Sequence, residues 1–195
     1  MNRVGEVVES STKVFIARSQ NLGESPYFGY FVKTNSNPVV YGLVYEILTE
    51  SKEPGRKPNA YGMTMDELRR EQPHIFELLK TEFHVLITAY SDGEKIRFSL
   101  PPLPPPIHTF IYECSNNEVE KLTSEDFFLR TIISSTNIPI DELLISSLRY
   151  AQDVRKNDKD YIVRMGKSLA RIFKDDYERL SSVLRRVVEK LFSHE

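Results

Sequence analysis

Three glycines set inside short apolar runs most limit what this chain can fold into. They lie in Arg3-Val4-Gly5-Glu6-Val7-Val8, Phe28-Gly29-Tyr30-Phe31-Val32 and Val40-Tyr41-Gly42-Leu43-Val44. A glycine inside an apolar strand marks a bulge, or a place where two backbones come close. With Gly5, Gly29 and Gly42 all near the start, the chain predicts a small, strongly curved β-barrel.

Further strand signals run to about residue 113. Val14-Phe15-Ile16-Ala17 follows the polar Ser10-Ser11-Thr12. The turn residues Asn35-Ser36-Asn37-Pro38 separate a run over 28–34 from one over 39–48. In the second run Val39, Tyr41, Leu43, Tyr45 and Ile47 share one face, with Gly42 on the other. The run 83–90 is apolar on both faces, which predicts deep burial. Ser91-Asp92-Gly93-Glu94 then carries an Asp-Gly hairpin pair, and 95–100 alternates polar and apolar, predicting a returning strand. Pro101-Pro102-Leu103-Pro104-Pro105-Pro106 reads as a stiff connector to a last strand over 108–113, rather than as a polyproline ligand.

One helical insertion is expected around 64–80. Thr64 and Glu67 have capping-box spacing, Leu68, Ile75, Phe76 and Leu79 form an apolar stripe, and Pro73 divides or kinks the segment. The charged, proline- and glycine-rich stretch 51–59 before it reads as an exposed loop. Near residue 121 the pattern becomes helical. Ser124 caps a helix with Phe127, Phe128, Ile132 and Ile133, and another begins at Pro139 and Asp141, with Leu143, Leu144, Leu148 and Ala151 inward. After a break at Asn157-Asp158, the segment from Asp160 to about Phe192 keeps one face apolar from Ile162 to Leu191. The expected architecture is α+β: residues 1–121 as an antiparallel barrel of about six strands with an inserted helix, and residues 122–195 as a helical unit.

Composition narrows the function. A net charge of -2 creates no overall attraction to nucleic acid or anionic membrane. The single cysteine, Cys114, rules out an internal disulfide framework and fits a reducing compartment. No signal core or membrane-length apolar run is apparent, so a cytoplasmic location is expected.

The order of elements resembles a HAS barrel, the small β-barrel at the N-terminus of HerA-type helicase ATPases and of rotary ATP synthase subunits. The resemblance covers roughly residues 1–120 and rests on Gly5, Gly29 and Gly42 and on the proline run before the last strand. In those families a P-loop ATPase domain follows. Gly166-Lys167-Ser168 matches the end of such a loop, but Tyr161 stands where the earlier glycine belongs, and the tripeptide lies in a helical pattern. The roughly 75 residues after the barrel are too few for the ATPase core. Nucleotide hydrolysis is therefore not expected.

Other candidate sites are sparse. His74 and Glu77 stand one turn apart, while His84, His108 and Cys114 are scattered, so no metal set is predicted. No cofactor motif or nucleophile elbow occurs, and the chain reads as non-enzymatic. Arg164, Lys167, Arg171 and Lys174 form a basic stripe that could meet nucleic acid or an acidic partner, diluted by Asp175, Asp176 and Glu178. In the resembled ATPases the barrel offers a docking surface. The leading expectation is thus a protein-interaction or self-associating module, accessory to a DNA-processing or ATPase complex, with Tyr27, Phe28, Tyr30 and Tyr41 as candidate anchors. A nucleic-acid-binding accessory protein is the alternative.

Overall fold

The computed structural model describes residues 3–93, 95–156, 158–174 and 176–192, and side chains up to residue 189. Seven strands come first: β1 (Arg3–Ser10), β2 (Val14–Ser19), β3 (Phe31–Thr34), β4 (Val39–Ser51), β5 (Leu79–Ser91), β6 (Ile96–Arg97) and β7 (Phe110–Glu113). Between β4 and β5 lie α1 (Met65–Glu71) and α2 (His74–Glu77). After β7 come α3 (Asn116–Leu122), α4 (Phe127–Ser134), α5 (Ile140–Val154), α6 (Lys159–Phe173) and α7 (Tyr177–Phe192).

The strands run in the order β2-β1-β7-β3-β4-β5, and β2 pairs again with β5. This ring of six antiparallel strands is the barrel that the glycines predict. Gly5 and Gly42 explain how so small a ring closes. A Cβ at Gly5 would lie 2.7 Å from the Arg18 carbonyl oxygen, and one at Gly42 would lie 2.5 Å from the Leu86 carbonyl oxygen. Register shifts beside both glycines add the local bends.

Gly29 behaves differently from the expectation. It sits in a turn ahead of β3 with φ of 81°, and its absent side chain makes room for Ser146 of α5. Its N–H donates to the Val44 carbonyl at 2.7 Å, so the turn is pinned to the barrel wall.

The returning strand expected over 95–100 shrinks to Ile96–Arg97. The reason is edge occupancy. The barrel closes by pairing β2 with β5 from Glu82 to Leu86, which leaves β6 only Tyr90 and Ser91 to bond.

Alternation along the strands divides the core in two. Val7, Phe15, Val32, Val44, Phe83 and Ile111 fill the barrel. Phe31, Tyr41, Leu43, Leu86 and Ala89 point outward and share a second core with the helices, among them Phe128, Leu148, Tyr161 and Leu169. Thus β3, β4 and β5 are apolar on both faces because both faces are covered.

The helical layer departs from the sequence reading in three places. α3 falls across the expected boundary at residue 121, held by a Ser115–Glu118 capping box. α4 is preceded by Asp126 at its N-cap rather than by Ser124. The expected long last helix is two helices, because Lys174 takes φ of 46° and ends α6. Leu191's side chain, Glu94, Asn157 and Asp175 lie outside the described residues.

Candidate docking groove

β4 and β5 form a ribbon longer than the barrel needs. Their pairing runs on to Ser51 opposite Leu79, whereas β2 leaves β5 at Glu82. The projecting end is held by polar contacts. Thr49 and Thr81 hydroxyls meet at 2.8 Å, and Lys80 bridges Glu82 at 2.7 Å and Glu50 at 3.2 Å. Arg18 reaches Glu82 from β2 at 3.0 Å. Burial alone would raise the Glu82 carboxyl, but Lys80 and Arg18 outweigh it and hold the group below its ordinary value.

The insertion sits on this tip. Thr64 caps α1: its hydroxyl accepts from the Glu67 N–H, and the Glu67 carboxylate accepts from the Thr64 N–H at 2.8 Å, as the spacing predicts. Pro73 lies between α1 and α2, so the expected division into two short helices is seen. No residue of either helix is buried.

The apolar stripe read from the sequence is therefore present but only half-buried. Leu68, Ile75, Phe76 and Leu79 line a groove of 570 Å³ between the helices, the ribbon and the loop before α1. Tyr61, Met65 and Leu78 stand on its rim, 44%, 55% and 43% exposed. The charged lining residues are Glu53, Arg56, Lys57 and Arg69. Arg56 is tied to Glu53 at 2.8 Å, and Arg69 lies 5.9 Å from the centre of the Phe76 ring. The helical spacing shows the stripe in the sequence; no local signal reports that it stays partly open.

The basic stripe stays exposed on α6, but its members are not equivalent. The Arg171 guanidinium donates to the Lys167 carbonyl at 3.4 Å and to the Ser168 hydroxyl at 3.2 Å. Arg130 chiefly, with Arg171 adding its charge, holds the Asp126 carboxyl below its ordinary value. Arg164 lies 5.8 Å from the centre of the Tyr161 ring, and Lys174 sits just past α6 as its C-cap, with φ of 46°. Gly166-Lys167-Ser168 lies within α6, with Ser168 buried.

The four candidate aromatic anchors are mostly consumed by the fold. Tyr41 is buried and Phe28 packs on the core it shares with the helices. Tyr30 stacks on Tyr150 at 3.8 Å between ring centres. Tyr27 alone of the four is open, 70% exposed. The three described histidines stay apart: His84 meets Glu46 at 3.0 Å, His108 meets Glu6 at 2.6 Å, and His74 lies exposed on α2. Cys114 is buried, and that burial pushes its thiol up. Among the described residues no group of three or more His, Cys, Asp or Glu could hold a metal, and no helix is long and apolar enough to cross a membrane.

No family model matches this chain, and no curated protein matches it.

Proposed function

We propose that the chain is a non-enzymatic protein-interaction module, built on a HAS-type barrel and docking through the tip of the β4–β5 ribbon. One observation carries this reading: two helices stand on a closed barrel outside both of its cores, their large apolar side chains only half-buried, with Met65 and Leu78 beside them exposed. A folded chain keeps such a face uncovered at a cost in solubility, and exposed apolar surface beside polar rims marks association sites. The HAS-type assignment draws support from the six-strand ring, from the close contacts at Gly5 and Gly42, and from the proline segment leading into β7. In the resembled ATPases the barrel's place on a ring assembly makes a motor or DNA-processing complex the natural host.

The test is co-purification of the tagged chain from its native extract, with light scattering on the isolated protein. A stoichiometric protein partner or a defined oligomer is expected. A monomer that recovers no partner would refute the proposal.

A further inference from the structure

The charges around the ribbon-tip groove specify what covers it. Glu53 and Arg56 neutralise one another. Lys57 and Arg69 also line the groove, and neither makes an ion pair among the described residues. The acids of α1, Asp66, Glu67 and Glu71, do not line it. The groove is thus an apolar trough carrying two uncompensated cations, on a molecule whose net charge is -2.

We infer that this groove receives an acidic amphipathic helix of a partner protein, its apolar face on Leu68, Ile75 and Phe76 and its carboxylates toward Lys57 and Arg69. This rests on the interaction reading above and names the partner's chemistry. A small amphiphile fits the volume, which lies in the usual range of roughly 300–1,000 Å³ for ligand pockets. Tyr61, Met65 and Leu78 extend the apolar lining outward to an exposed rim. A helix presenting residues i, i+3, i+4 and i+7 covers floor and rim together. Opposite charge at the rim fixes orientation and speeds encounter, while the apolar anchors supply most of the affinity.

The probe is a random 16-residue peptide library displayed on phage and selected on the full-length protein. Enriched peptides should be net acidic with apolar residues at helical spacing. The best of them, made synthetically, should gain helicity on binding. Its affinity should fall at least ten-fold in the double variant Lys57→Glu/Arg69→Glu and at least ten-fold in Met65→Asp. Both variants should keep the parent melting temperature, because Lys57, Met65 and Arg69 are all exposed. Recovery of no peptide, peptides without acidic bias, or affinity unchanged by charge reversal would each overturn the inference; so would dodecanoate displacing the peptide while ignoring both variants. A native partner that still co-purifies with Lys57→Glu/Arg69→Glu would remove the groove and leave the interaction module standing. Loss of every partner from the parent protein would remove both.

Discussion

Lys33 on β3 and Glu118 on α3 meet at 2.5 Å across the seam between barrel and helices, both largely shielded from water. Glu118 also completes the cap of α3, accepting from the Ser115 N–H at 2.8 Å. One carboxylate thus fixes where the helical layer starts and ties it to the barrel wall. Burial would raise that carboxyl, but the bonds from Lys33 and Ser115 prevail and hold it below its ordinary value.

The sign of the pH effect follows. A carboxyl whose folded pKa is depressed contributes stability that is complete above its unfolded value and is lost as pH falls through the folded one. Glu118→Gln keeps capping geometry and removes the charge. It should cost about 1 kcal/mol at pH 7, and the gap from the parent should close toward pH 3. Urea denaturation at several pH values measures this, and a gap constant with pH would show that the charge is not responsible.

Two glycine substitutions should have opposite signs. Gly42→Ala drives a methyl against the Leu86 carbonyl oxygen and a Val85 methyl, each at 2.5 Å from its position. It should destabilise by about 3 kcal/mol, the upper end for overpacking, since a strand backbone must move. At Gly166, inside α6, the nearest atom to a new methyl is a Leu184 side-chain carbon at 3.6 Å. Gly166→Ala should stabilise by about 0.5–1 kcal/mol through helix propensity. Melting temperatures that move the same way for both would contradict this account.

Barrel and helices should unfold as one unit. Phe128 of α4 is 1% exposed and meets Phe31 of β3 with ring centres 6.0 Å apart. Phe128→Ala should cost about 3–5 kcal/mol. Near-ultraviolet and far-ultraviolet transitions should remain superimposed, and limited proteolysis should release no stable barrel ending near residue 121. A protease-resistant barrel fragment would show that the two halves are separable.

Removing the insertion should leave the barrel intact. The Lys52 N–H donates to the Leu78 carbonyl at 2.8 Å, so the ribbon ladder reaches that pair. Replacing residues 53–77 by Asn-Gly supplies a two-residue hairpin turn at this point. Stability should change by less than about 1 kcal/mol, because α1 and α2 have no fully buried side chain and belong to neither core, and a shorter loop costs less entropy to close. A large drop in melting temperature would mean that the insertion is structural.

Much of this molecule could be read in the chain because the deciding physics is local. Apolar runs placed β1, β2 and β5, alternation placed β4, the Thr64–Glu67 spacing placed the cap of α1, and Pro73 placed the break before α2. Gly5 and Gly42 showed where backbones crowd, since only a missing side chain permits it. The Ser115–Glu118 box was equally local and went unread beside the strand that precedes it.

Other features needed the tertiary structure, because strand-edge occupancy and burial depend on residues remote in sequence. Nothing in residues 95–100 reveals that β2 already holds the edge they would bond. Nothing in Tyr41 or Phe28 reveals that helices from the second half of the chain cover them, or that Gly29 yields its space to Ser146. The stripe over Leu68, Ile75 and Phe76 has the same pattern whether packed or open; its being only half-buried came from where the β4–β5 ribbon carries it, beyond the reach of either core.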